Sequence, residues 1–295
     1  MSTLIKRLII AGIGILAGAA VWPLMELLVA EQGAFPSYRF FTVVSGGVFG
    51  AVFGLFFASA EGVIAGSWRR TARGALTGLG IGALGGVLGF LLGQLILFLL
   101  VNVSFAAQGR LDTVGIPLAR ALGWAILGVF VGAAEGVRAR SVRKILIGAI
   151  GGLLGGFLGG AAIEYAVVVL PTLPALRLAG LVLFGLLVSV FYGIIERQLS
   201  YGLLRLLNGR YKGKEFVINQ RRMRIGNAPD CDILLAQYRN VAPHHVRARV
   251  VRGDVYLSAE DDTSLIVNDE AVDEHKLKYE DVIKIGNAKL FYNHE

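Results

Sequence analysis

Long apolar runs fill the first two hundred residues, and no other feature limits the fold of this chain more. Six segments, at 8–30, 41–66, 74–103, 118–137, 144–170 and 177–197, carry few charges. About 20 apolar residues in a helix cross the roughly 30 Å hydrocarbon core of a bilayer. In lipid every backbone N–H and C=O must find a partner within the chain, which selects helices for such runs. The sequence predicts an α-helical transmembrane bundle of six helices over residues 1–197. The amino terminus, Met-Ser-Thr-Leu-Ile-Lys-Arg and then some two dozen apolar residues, is too long for a signal-peptide core and is read as the first span.

The six segments repeat as three hairpins. The first helix of each pair opens on a basic residue with glycine five positions later: Arg7 and Gly12, Arg73 and Gly78, Arg143 and Gly148. A small pair follows at one offset: Ala19-Ala20, Gly85-Gly86, Gly155-Gly156. The second helix of each pair ends on a glutamate, Glu61, Glu135 or Glu196, with small residues three and seven positions before it. Shared offsets of this kind point to an internal triplication.

The chain holds 40 glycines, far above the usual share of about 7%. Many recur every four residues: Gly46, Gly50 and Gly54; Gly74 to Gly86; Gly128 to Gly136; Gly148 to Gly160. That spacing lays them on one helix face, where small residues let helices approach closely in lipid. The stripes predict a tightly packed bundle, and they also offer a surface to a second copy of the chain.

Charge sets the expected orientation. Residues 1–208 hold 15 Lys+Arg against 7 Asp+Glu, and residues 209–295 hold 14 of each. The basic residues fall in every second connection: Lys6 and Arg7; Arg69, Arg70 and Arg73; Arg138, Arg140, Arg143 and Lys144; Arg197 and Arg205. The positive-inside rule places both termini in the cytoplasm of a multi-pass inner (plasma) membrane protein. The soluble part has no excess of positive charge, which argues against a nucleic-acid partner.

Polar groups inside the apolar segments are costly and need partners. Glu61, Glu135 and Glu196 lie next to the arginine clusters, and ion pairing that fixes the hairpins is expected there. Glu26, Gln94 and Glu164 sit deeper, at similar places in the three repeats. They keep a channel or transporter open as an alternative to a plain anchor, although no broken-helix pattern marks a midplane site.

Residues 198–211 are expected to be a short connector with an interfacial helix, because Leu203, Leu204, Leu206 and Leu207 continue the apolar pattern until Asn208-Gly209. From 212 to 295 the pattern changes to short β runs between turn residues: Glu215–Ile218, Met223–Ile225, Ile233–Leu235, Val246–Val251, Val255–Ser258, Leu265–Val267, Val282–Ile285 and Leu290–Tyr292. Strands at this spacing predict an all-β sandwich.

The ordered motifs of this region, Arg-Ile-Gly-Asn at 224–227, Val-Ala-Pro-His-His at 241–245, Val-Asn-Asp at 267–269 and Asp-Val-Ile-Lys-Ile-Gly at 281–286, resemble a forkhead-associated (FHA) domain. The resemblance spans about 212–293. The whole chain also looks like bacterial membrane proteins that place such a domain after a Gly-rich multi-helix region. FHA domains bind phosphothreonine peptides through loops at one end of a β-sandwich. The resemblance implies Gly226 and His245 as structural positions, and Asn227, Arg239, Ala242, Asp262, Thr263 and Asn268 as loop positions that meet a peptide.

At two of these positions the chemistry departs from the family. Where the family has an arginine on the phosphate this chain has Asn227, and where it has a serine this chain has Ala242. A phosphate carries about −1.5 to −2 charge near neutrality and needs charge-assisted donors. Asn227 and Ala242 supply none, Asp261 and Asp262 would repel it, and a substitute from Arg222, Arg224 or Arg239 depends on where the strands aim them. The expectation is a membrane-anchored adaptor, in a signalling role, whose sandwich binds a cytoplasmic protein or peptide without requiring phosphate.

No catalytic constellation, cofactor motif or metal signature stands out. Cys231 is the single cysteine, no neighbouring base suggests a nucleophile, and adjacent His244 and His245 on an extended segment would face opposite ways. The acidic run at 260–262 lacks the spaced ligands of a calcium loop.

Overall fold

The computed structural model describes residues 3–64, 66–100, 114–139, 141–169, 175–260 and 263–293. They form two compact units, Arg7–Glu196 and the chain from Arg197 onward.

The first unit is helical: α1 (Thr3–Ala30), α2 (Tyr38–Ile64), α3 (Trp68–Leu100), α4 (Ile116–Arg138), α5 (Val142–Val169) and α6 (Leu176–Gln198). All six are long and apolar enough to cross a membrane. Helix α1 continues through Pro23 without a break. Leu76, Leu84 and Leu95 are exposed, as befits surfaces that face lipid. The interior gathers Phe49, Phe53 and Phe57 from α2, Leu127 and Val131 from α4, and Phe184 and Val188 from α6, with Ala17 and Val21 from α1. Phe53 and Phe184 meet edge to face, with ring centroids 5.3 Å apart.

The glycine stripes lie at specific helix pairs. A methyl group on Gly50 or Gly54 of α2 would strike the carbonyl of Gly82 or Gly78 of α3. One on Gly128 or Gly132 of α4 would strike Gly152 or Gly148 of α5, and one on Gly185 of α6 would strike Gly14 of α1. These backbone contacts leave no room for a Cβ, so the glycines are sterically required. Glycine-to-carbonyl contacts thus join α2 with α3, α4 with α5 and α6 with α1. The sequence unit groups α1 with α2 and α3 with α4, so the packing unit is offset from it by one helix. The stripes that could have received a second copy are filled within this chain.

The deeper polar residues follow the same pairing. Arg177 of α6 donates to Glu26 of α1 at 3.1 Å. Gln94 Nε2 of α3 donates to Thr42 Oγ1 of α2 at 2.6 Å. Arg120 and Trp124 of α4 donate to Glu164 of α5 at 3.2 and 3.1 Å. Near the other ends of the helices, Arg138 of α4 binds Glu135 on its own helix at 2.8 Å and Glu61 of α2 at 2.9 Å. Lys144 of α5, almost fully buried, pairs with Glu61, and Glu196 of α6 is buried as well.

The second unit is a sandwich of two sheets. Its strands are β1 (Leu203–Leu206), β2 (Glu215–Val217), β3 (Arg222–Gly226), β4 (Ile233–Leu234), β5 (Val246–Val251), β6 (Asp254–Ala259), β7 (Leu265–Val267), β8 (Glu270–Val272), β9 (Glu274–Lys276), β10 (Val282–Ile285) and β11 (Ala288–Asn293). One sheet runs β2-β1-β11-β10-β7-β8 and the other β4-β3-β5-β6-β9. Among the described residues, only the β3–β4 ladder is parallel. Alternate residues of each strand enter a core built on Leu204, Ile225, Val246, Leu257, Ile283, Ile285, Leu290 and Tyr292.

The expected interfacial helix at 198–211 is corrected here. Helix α6 ends at Gln198, and Leu203–Leu206 pair with both β11 and β2. Leu204 and Leu206 point into the sandwich while Arg205 points out and pairs with Glu215. A leucine run satisfies helical and strand periods equally when it is only four residues long, and the waiting edge of β11 decides. The eight expected strands all form. The additional β8 and β9 are three-residue pieces, Glu-Ala-Val and Glu-His-Lys, too short and too polar for hydrophobic alternation to reveal.

Candidate ligand-reading loops of the sandwich

Strand β3 delivers the first loop. At its end Gly226 lies against the 241–245 loop so closely that a Cβ would overlap the Pro243 carbonyl. That contact lets two loops zip together: Asn227 N–H donates to Ala242 O at 3.0 Å, and Ala228 N–H to Pro243 O at 3.0 Å. Asn227 also turns its side-chain amide inward and donates to Val241 O at 2.8 Å.

His245 locks this pair of loops to a third. It is 4% exposed. Its Nδ1 accepts from Ala242 N–H at 3.0 Å, which leaves Nε2 to donate to Ser264 O, also at 3.0 Å. The neutral tautomer with the proton on Nε2 satisfies both bonds. Thr263 Oγ1 then donates to the His245 carbonyl at 2.7 Å and lies 2.6 Å from Glu260 O. Gly226 and His245 are thus the residues at which these loops are tied together.

Among the six expected loop residues, Asn227, Ala242 and Thr263 come together around His245. Asn268 does not join them. It sits at φ +52° in the β7–β8 turn, accepts from Val282 N–H at 2.9 Å and donates to Asp281 at 2.8 Å. Arg239 is exposed, on a loop whose carbonyl accepts from Asn287 N–H at 3.0 Å. Asp262 and Asp261 lie outside the described residues.

Two of the three arginines that could have replaced the missing phosphate donor stand on a strand face. Arg222 and Arg224 alternate with buried Met223 and Ile225, and stand opposite Arg249 and Arg247 on β5. All four lie on the outer face of the five-stranded sheet. Three of them have acidic neighbours: Arg247 with Glu260 at 2.8 Å, Arg249 with Glu274 at 3.0 Å, Arg224 with Asp230 at 3.6 Å. At the junction of the first two loops, then, the groups present are a neutral amide already bonded to Val241 O, a methyl and backbone. That surface suits hydrogen-bonding and apolar contact better than it suits a dianion.

One grouping escaped sequence reasoning. Cys231, in the first loop, lies with Sγ 3.5 Å from His244 Nδ1, and His244 Nε2 lies 3.6 Å from Asp230. The cysteine does have a base beside it. The two histidines lie in a loop before β5, and they do diverge, His245 inward and His244 toward Cys231. Cys231 and His244 are 13 positions apart and no spacing motif links them, so only the zipped loops reveal the contact.

Residues 205–295 match the family model described as "Inner membrane component of T3SS, cytoplasmic domain". No curated protein matches the chain. Among solved structures, the chain is similar to the FHA domain of the CT664 protein from Chlamydia trachomatis, with 18% identity over 32% of this chain and 97% of that one, at a TM-score of 0.30. It is similar in the same way to a domain solved in a study of phosphothreonine-dependent FHA domain interactions, with 23% identity over 32% of this chain and 96% of that one, at a TM-score of 0.30. The chain is six long apolar helices followed by a β-sandwich of two sheets.

Proposed function

We propose that this protein is a membrane-anchored interaction adaptor that acts by binding and not by catalysis. The bundle holds the chain in the inner membrane with both termini in the cytoplasm. The FHA-like sandwich recruits a cytoplasmic protein or peptide through the loops around His245, without requiring phosphate. The observation that carries this reading is Asn227. It stands where the FHA resemblance implies a phosphate-binding arginine, and its amide is engaged with Val241 O. The description of the matching family model supports the membrane and the side of it.

The bundle favours an anchor over a conduction path. Glu26, Gln94 and Glu164 each meet a partner on the adjoining helix. A transport site at that depth would need polar groups turned toward a wet cavity.

A phosphothreonine-peptide library and its unphosphorylated twin, titrated against the full chain, test the proposal. Equal binding of both forms by selected peptides is the expected result. Binding that disappears on dephosphorylation would overturn phosphate independence.

A further inference from the structure

Asp230, Cys231 and His244 present three donor atoms that all lie within 4.8 Å of one another. A thiol, an imidazole and a carboxylate are the ligand types that Zn²⁺ takes, and a thiolate selects against Mg²⁺ and Ca²⁺. We propose that these three residues form a site for one divalent cation of the Zn²⁺ class, with water as the fourth ligand.

The geometry of the sulfur and nitrogen carries this. Zn–S bonds of about 2.3 Å and Zn–N bonds of about 2.0–2.1 Å at a tetrahedral angle put sulfur and nitrogen about 3.5 Å apart. Cys231 Sγ and His244 Nδ1 are 3.5 Å apart. The length of one tetrahedral edge is therefore already in place. The Cys231 thiol has a closer acceptor in Pro243 O at 3.1 Å.

Asp230 supplies the third ligand by a side-chain rotation. Its carboxylate is 58% exposed and stands 3.6 Å from both His244 Nε2 and Arg224 Nη1. Both distances exceed hydrogen-bond length, so the carboxylate is loosely held. The site is layered. Cys231 is fully buried, His244 is half-buried, and Asp230 is exposed at the rim. A cation would enter past Asp230 and keep its water on that side.

The backbone holds the two sulfur and nitrogen ligands rigidly. Cys231 N–H donates to Ala228 O at 3.1 Å, and the bonds from Asn227 and Ala228 to the 242–243 carbonyls tie the two loops together. On binding, the S–H bond breaks, its proton leaves to solvent, and a metal–sulfur bond forms. The bound cation would cross-link the loop after β3 to the loop before β5. Those are the loops that frame the proposed peptide surface, but the site stands whether or not a peptide binds there.

Cobalt(II) titration of the untagged full-length protein in detergent tests the proposal. Cys231 is the single cysteine, so any thiolate-to-cobalt charge-transfer absorption must come from it. The expected result is a charge-transfer band saturating at one cobalt per chain, with intense tetrahedral ligand-field bands, all bleached by Zn²⁺. Cys231→Ser should abolish the band. His244→Gln and Asp230→Asn should each weaken binding by roughly tenfold or more, the scale on which even outer-shell partners act. The two latter variants change surface groups and keep the test sound if Cys231→Ser misfolds. Absence of the band, or a band whose titration is unchanged in His244→Gln, would overturn the site.

Discussion

His245 Nε2 and the carbonyl oxygen of Ser264 lie 3.0 Å apart, and this bond joins the loop before β5 to the loop before β7. The same ring accepts from Ala242 N–H, so one buried side chain braces its own loop against the loop before β7. His245→Ala leaves a cavity and removes a donor and an acceptor from buried partners. Its expected cost is about 2–4 kcal/mol of sandwich stability. Urea denaturation followed by near-ultraviolet circular dichroism measures it, and a loss under 1 kcal/mol (roughly the value of one ordinary hydrogen bond) would contradict the role.

Asn227 and Ala242 make a gain-of-function prediction. Replacing them together, Asn227→Arg with Ala242→Ser, places a guanidinium and a hydroxyl at the junction of the two loops. A charge-assisted bond to phosphate contributes about 1.5–3 kcal/mol. Phosphothreonine peptides should then bind about tenfold or more tightly than their unphosphorylated forms, as read by fluorescence anisotropy. A double variant with no phosphate preference would mean that the loop backbone, and not these two side chains, withholds phosphate recognition.

Two glycines of the bundle should behave oppositely. Gly50 of α2 faces the Gly82 carbonyl with no space for a side chain, whereas a Cβ on Gly80 of α3 meets nothing. Gly50→Leu must separate α2 from α3, and its thermal unfolding in detergent should fall well below wild type. Gly80→Leu should leave it within a few degrees, the scale of a change under 1 kcal/mol. Equal effects would refute the glycine-mediated contact.

Asp281 gives the sandwich an acid limit. Burial raises the pKa of its carboxyl, but hydrogen bonds from Lys278 N–H, Asn268 Nδ2 and His275 outweigh that and hold it below the usual aspartate range. A depressed carboxylate stabilises the fold above its unfolded pKa of about 3.9, and that stabilisation is lost as pH falls through the folded value. Stability should decline below about pH 4, and Asp281→Asn should flatten that decline while lowering stability at neutral pH. Urea midpoints at stepped pH give the slope, and an unchanged slope in the variant would remove Asp281 from the account.

Much of the architecture is legible in local pattern. The six helices follow from runs long enough to cross a bilayer. Eight of the described strands follow from short β runs between turn residues, as in Val246–Val251. Gly226 and His245 are recognisable because their neighbours form ordered motifs. Leu203–Leu206 was not legible, since four leucine-rich positions fit either period. The positions of Arg222 and Arg224 were left open by the residues alone, and the β3–β5 register put them on the sheet face.

What the sequence by itself determined are properties carried by neighbours along the chain: apolar length, glycine spacing, strand alternation and the missing charge at Asn227 and Ala242. Tertiary structure alone decided which helices the glycines join, pairing α2 with α3 across the boundary of the repeat. It alone decided that Glu26 meets Arg177, 151 positions away, and that Cys231 meets His244. The reason is physical. Periodicity reports the environment of a face, whereas the identity of the group across that face depends on chain closure, which no local window contains.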